Sequence, residues 1–269
     1  MPIRTPTPQQ IEKLRLILSS YQDGTGQLAQ SDGTTLPGWR NFERTVALIF
    51  RGTAQESKAI FDVLVPKHRE QGNLFGIACK MRRELKYPKT TQEEVPLELS
   101  NAAKQFWAEL KDNHKLNEQS YKQDPNTVGE AIITLVNKWH EDASLKMGID
   151  IDLDESFYLI LLWNKEGYYQ LFQYPHKLPN PKYLHWHFPI LKDGTLSNHL
   201  RGEDRNGKVF EWYGESGGQL KYYPRVENAL WTSRPFRLET LPHDMPNGVL
   251  SRVKAYFPHQ WEATKNLDE

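Results

Sequence analysis

The chain has a single cysteine, Cys79, in 269 residues. One thiol excludes an internal disulfide framework and any zinc site built on cysteines. An excess of charge of one sign is also missing, since 34 basic residues balance 34 acidic ones. Overall charge therefore advertises no nucleic-acid partner, and DNA binding would have to use a local basic surface. No apolar run approaches membrane-spanning length, and the opening Met1-Pro2-Ile3-Arg4 has no secretory character, which predicts a cytoplasmic protein with no membrane partner. The glycine-rich stretches lack the Gly-Lys-Ser/Thr of a nucleotide-phosphate loop. With 38% hydrophobic residues the chain can bury a substantial core, as one large domain or as a core plus a smaller module.

What is present is concentrated between residues 37 and 110. Ala59-Ile60-Phe61-Asp62-Val63-Leu64-Val65-Pro66 and Phe75-Gly76-Ile77-Ala78-Cys79-Lys80-Met81-Arg82-Arg83 are short runs of branched and aromatic residues separated by a polar stretch, and they predict two paired strands. Side chains alternate along a strand, so Lys80 shares a face with Ala78 and Arg82, while Ile77, Cys79 and Met81 take the other. Cys79 therefore reads as a small apolar core residue and not as a nucleophile. An acid inside an apolar strand is costly unless a metal, a proton or a partner compensates it. Asp62 is thus a candidate metal ligand with Lys80 as its catalytic companion. The plain alternatives are a strand-end acid paired with Arg40 or Lys58, and a solvated strand lysine.

The pair resembles the PD-(D/E)XK nucleases, the superfamily of most type II restriction endonucleases, over a core of roughly 40 to 110. Phe61 stands where the family name has proline, and Ala78 stands where the second acid belongs. Some members carry a small residue there and recruit a carboxylate from the helix after the lysine strand. Here the segment Leu97 to Leu110 reads as that helix, with Glu98 as the relocated acid and Glu94 as second choice. The helix before the acidic strand, Pro37 to Phe50, has apolar residues at 39, 42, 46, 49 and 50, and Glu43 beside that stripe matches a glutamate that many members direct toward the metal or its waters.

The resemblance implies Mg²⁺, for which Mn²⁺ can substitute, bound by Asp62, by Glu98 or Glu43, and by the main-chain carbonyl of Cys79. Lys80 would hold the attacking water and steady the phosphate. The implied activity is sequence-specific cleavage of double-stranded DNA in a restriction–modification system for phage defence, by a homodimer accompanied by a cognate DNA methyltransferase. Nucleases of the same fold in repair, modification-dependent defence or mobile elements are the alternative, as is a DNA-binding protein with a decayed core.

The fold expected is α/β (α+β): a central mixed sheet flanked by helices, followed by a β-rich C-terminal part. An amphipathic helix over Gln9 to Tyr21 and a turn-rich loop make up 1–36, and the nuclease core spans 37–174. That core would include a helix over Thr127 to Glu141, a buried strand over Phe157 to Trp163, and its hairpin partner over Tyr168 to Tyr174. Residues 175–269 would pack on the core and read DNA. A hairpin over Val209 to Tyr223 would offer Glu215, Ser216, Gln219 and Lys221 to base edges or phosphates, helped by Arg201, Arg205 and Asn206 in the preceding turn. An ordinary packed hairpin is the alternative. Arg40 and the basic run of Arg82, Arg83, Lys86 and Lys89 would line the phosphates of the cleaved strand, or form a solvated loop. His185-Trp186-His187 projects two imidazoles to one face, but lacks the further ligands that zinc demands.

Overall fold

A computed structural model describes residues 4–55, 60–67, 73–242 and 248–264. Lys58 and Ala59, invoked above, lie outside the described residues. The elements that position the site are helices α1 (Pro8–Ser20) and α2 (Trp39–Phe50), strands β1 (Val63–Pro66), β2 (Asn73–Arg82) and β3 (Leu97–Asn101), helices α3 (Ala103–His114) and α4 (Pro125–Glu141), and strands β4 (Phe157–Trp163) and β5 (Tyr168–Pro175). Four more strands follow: β6 (His185–His187), β7 (His199–Asp204), β8 (Gly207–Tyr213) and β9 (Gln219–Tyr222).

Strands β5, β4, β2 and β1 lie side by side in the middle of an eight-stranded sheet completed by two-residue pieces. The sheet is mixed, because β2 and β4 run parallel while β1–β2 and β4–β5 are antiparallel. Parallel neighbours need a crossover, and here the crossover contains α3 and α4. Alternation then sorts the side chains. Phe75, Ile77, Cys79, Phe157, Leu159 and Leu161 pack with Leu14, Leu18, Phe42, Val46, Ile49 and Phe50 of α1 and α2. Ala78, Tyr158, Ile160 and Leu162 meet Val128, Ile132 and Val136 of α4 on the opposite face. Helices thus cover both faces of the large sheet, as the apolar spacing of the strands and helices predicted. One residue of the α2 stripe departs from that pattern: Trp39 is half exposed, with the Arg40 guanidinium 4.7 Å from its ring.

Residues 97–101 depart from the expected helix. Instead of opening a helix, Leu97–Asn101 forms β3 and pairs antiparallel with β9 as the edge of a five-stranded sheet ordered β6-β7-β8-β9-β3. The helix begins only at Ala103. The spacing of Leu97, Leu99 and the apolar residues after Ala102 is locally compatible with a helix, but the ladder to Gln219–Tyr222 decides, since propensity yields to tertiary context.

This second sheet packs on α4 through Trp186. A Cβ at Gly129 of α4 would lie 2.1 Å from the Trp186 ring, and one at Gly202 of β7 would lie 2.7 Å from it, so two glycines admit the indole between helix and sheet. Its Nε1 donates to the Pro181 carbonyl at 2.9 Å. Burying a side chain of this size is worth about 3 kcal/mol, which makes Trp186 a main contact between α4 and the second sheet.

Candidate active site

Asp62 sits just before β1, where the pairing of β1 with β2 runs out. Val63 opposes Ile77, and the Asp62 N–H donates to the Ile77 carbonyl at 3.0 Å. Cys79 has no partner on β1, and its N–H donates to Asp62 Oδ2 at 2.7 Å. Within a strand the N–H and C=O of one residue point to the same edge, so the Cys79 carbonyl also faces the Asp62 side. Phe61 fixes the approach from behind: it is fully buried, and its ring lies where a side chain at Gly76 would be, 2.2 Å from the position of a Cβ.

Asp62 and Lys80 line one cleft of about 220 Å³, together with Ala78, Ser100, His140 and Tyr158. Burial pushes the Asp62 carboxyl above its ordinary value, while the Lys80 charge, the Cys79 N–H and a hydrogen bond with the Glu43 carboxyl act in the opposite direction. Glu43 from α2 therefore reaches the acid at the end of β1. Two carboxyls at hydrogen-bond distance cannot both carry charge cheaply, so a proton or a cation must be shared between them.

Behind Lys80 stand two imidazoles that sequence reading missed. The rings of His140 and His176 are 3.9 Å apart, and His176 lies 4.7 Å from the Phe61 ring and 5.0 Å from Tyr158. His140 Nε2 is 3.5 Å from the Tyr158 hydroxyl, whereas His176 Nε2 is buried without a hydrogen-bond partner among the described residues. Burial and, secondarily, Lys80 push His140 down to about 4. Burial, then His140 and Lys80, hold His176 well below its usual value. Both imidazoles are thus neutral at pH 7. A signal for His140 exists, since it falls four residues after Val136 on the apolar stripe of α4. None exists for His176 or for Ser100, which arrive from distant segments.

Glu98 points elsewhere. It accepts from Gln219 Nε2 and lies 3.8 Å from Arg82, and its neighbours Leu99 and Ser100 are the residues that line the cleft. Glu94 lines a separate hollow of about 260 Å³ with Arg82, Glu84 and Lys86. Among the described residues no group of three or more His, Cys, Asp or Glu side chains could hold a metal, which includes the His185 and His187 pair. The donors brought together are the Asp62 and Glu43 carboxyls, with the Cys79 carbonyl directed to the same edge of β2. They suit a hard cation that keeps most of its waters and takes one or two carboxylates, and they do not suit an ion needing a closed protein cage.

The residues expected on DNA are scattered. Arg82 is bound to Glu84 at 2.7 Å, and Lys89 to Glu166 at 2.7 Å. Arg201 is held by Glu211 at 3.0 Å, and Glu215 accepts from the Tyr121 hydroxyl at 2.9 Å. Lys221 lies over the Tyr213 ring. Gln219 is engaged by Glu98. Lys86, Arg205, Asn206 and Ser216 are exposed, as are Arg40 and Arg83. The turn-rich loop before α2 has a structural role, since Gln27 Oε1 accepts the Arg40 N–H at 2.7 Å and so caps α2.

No family model, characterised protein or solved structure matches the chain. Among the described residues, no helix is long and apolar enough to cross a membrane.

Proposed function

We propose that the chain is a divalent-cation-dependent DNA endonuclease of the PD-(D/E)XK type, with Asp62, Glu43 and Lys80 as its working residues. The observation that carries this reading is Asp62 and Lys80 in one cleft beside a mixed sheet, with Glu43 of the preceding helix hydrogen-bonded to Asp62. A bound Mg²⁺ would neutralise a phosphate and polarise a water. Asp62 and Glu43 would hold that cation, and the Cys79 N–H would orient Asp62. Lys80, which shares the cleft with Asp62, would hold the attacking water and offset charge developing on the phosphate. The neutral His140 and Tyr158 supply a polar wall that adds no competing positive charge. Cleavage of a symmetric duplex site would use two copies of the chain.

A second reading has a specific observation behind it. Ala78 leaves the second-acid position empty, and Glu98 is committed to Gln219 and Arg82, which favours a DNA-binding protein whose nuclease core has decayed. Purified protein incubated with plasmid and phage DNA plus Mg²⁺ separates the two. Discrete fragments are expected, and Lys80→Ala should lower cleavage at least about 10²-fold, the usual scale for a proton-handling group, while leaving DNA binding intact. Equal cleavage by Lys80→Ala would overturn the assignment, and a mobility shift without cleavage by the parent would favour the decayed form.

A further inference from the structure

A groove of about 890 Å³ opens where the ends of β2 and β4 meet the short hairpin of Leu28–Ala29 and Thr35–Leu36. Three of its lining residues are cations, Arg83, Lys165 and Arg237, and among the described residues none is an acid. The contrast with neighbouring cations is plain. Arg82 is paired with Glu84, Lys89 with Glu166, and Arg15 with Glu239. Glu166 feels the field of Lys165, but its carboxylate is bonded to Lys89.

Among the described residues the two arginines are held by rings and not by carboxylates. The Arg83 guanidinium lies 5.1 Å from the centre of the Trp163 ring, and that of Arg237 lies 4.1 Å from the centre of Tyr168. A ring face steadies a guanidinium without neutralising it and leaves its edge donors unspent. Those donors match phosphate oxygens in a two-pronged arrangement. The cations also come from three separate elements: the residue after β2, the turn between β4 and β5, and Phe236–Arg237. A single small anion could not fill a space of this volume, whereas several linked phosphates could.

The geometry points to a phosphate-binding site for a nucleic-acid strand in this groove, beside the cleft and not within it. The inference rests on the nuclease reading for the identity of its ligand. Arg83 lies three residues beyond Lys80, and Trp163 three beyond Ile160, the register partner of Lys80. That is a displacement of roughly 10 Å along the strands. Lys80 and Arg83 project from opposite faces, so the bound nucleic acid would pass around the ends of β2 and β4.

The test compares the parent with Arg83→Gln/Lys165→Gln/Arg237→Gln, first matched for thermal melting. Fluorescence anisotropy with a labelled DNA duplex is measured in EDTA across a NaCl series. ATP and inorganic tripolyphosphate serve as free-phosphate probes. The expected result is weaker duplex binding by the variant, with the slope of log K against log salt shallower by about two to three, near 0.9 per lost contact. Should melting of the triple variant fall, Lys165→Gln alone must still reduce the slope by about one. Duplex binding with an unchanged slope would overturn the groove while leaving the nuclease reading untouched. If the parent neither binds nor cleaves DNA, the nuclease reading fails. The groove then survives only as a site for free nucleotide phosphates, shown by ATP or tripolyphosphate binding to the parent and not to the variant. Absence of both kinds of binding would overturn it as well.

Discussion

Asp62 and Glu211 are both carboxylates removed from water, and their surroundings drive them in opposite directions. Burial alone would raise Glu211, but the Tyr213 hydroxyl, Lys208, Arg201 and the Tyr223 hydroxyl outweigh it and hold the group at about 2. The contacts are close: Arg201 at 3.0 Å, Lys208 at 3.2 Å, Tyr213 at 2.9 Å and Tyr223 at 3.0 Å. Asp62 has one backbone donor, a nearby lysine and a second carboxyl, and its affinity for protons rises instead. A charge whose oxygens are all satisfied from within the fold stabilises the sheet that carries it. One left short of donors keeps coordination capacity for something brought from outside.

The largest stability effect should appear at the satisfied group. Glu211→Gln removes the charge that Arg201 and Lys208 converge on; because the Arg201 side chain is 39% exposed and can be solvated, the expected cost is that of lost charged hydrogen bonds, about 2 kcal/mol. For a chain of this size that is a fall in Tm of roughly 4–8 °C, readable by calorimetry. A loss below about 1 kcal/mol would show that the Glu211 network does not stabilise the second sheet. Lowering pH should reproduce part of this. The native pKa of Glu211 is depressed, so its contribution is full above the unfolded carboxylate range, near 4.3, and is lost as pH falls toward about 2.

The cleft titrates in a different window. The native pKa of His140 is about 4, against about 6.5 when unfolded. Between these values the unfolded chain binds the extra proton, so stability present above pH 6.5 should decline as pH falls toward 4, by at most about 1.4 kcal/mol per pH unit from this one group. Urea titrations of the parent and of His140→Gln across that range should show a flatter profile for the variant. Parallel profiles would mean that His140 is already solvated and not part of the dry wall of the cleft.

The smallest effect sharpens the contrast most. A raised native pKa at Asp62 means that its contribution is present at low pH and lost as pH rises through the native value. Asp62→Asn should therefore stabilise the cation-free protein at pH 8, a rise in Tm opposite in sign to the effect of Glu211→Gln. Millimolar Mg²⁺ should raise the Tm of the parent and leave the variant unmoved. A destabilised Asp62→Asn would mean that its carboxylate is a structural group like Glu211.

Much of the site frame was legible because it depends on local period. Lys80 and Ala78 face one way and Cys79 the other, since a strand alternates whatever it pairs with. The α2 stripe placed Glu43 at its border, from which it reaches Asp62. Glu98 was misplaced for the complementary reason: nothing within Leu97–Asn101 reveals a partner strand more than a hundred residues away.

By itself the sequence determined the faces of β2 and β4, the apolar side of α4, and the side of β2 from which Lys80 projects, because these follow from spacings of two and 3.6 residues. Only the tertiary structure decided that Glu98 belongs to a sheet edge, that His140 meets His176 behind Lys80, and that Arg83, Lys165 and Arg237 share a groove. Those outcomes depend on long-range pairing and packing, in which residues far apart in the chain compete for the same partners, and no local pattern encodes the winner.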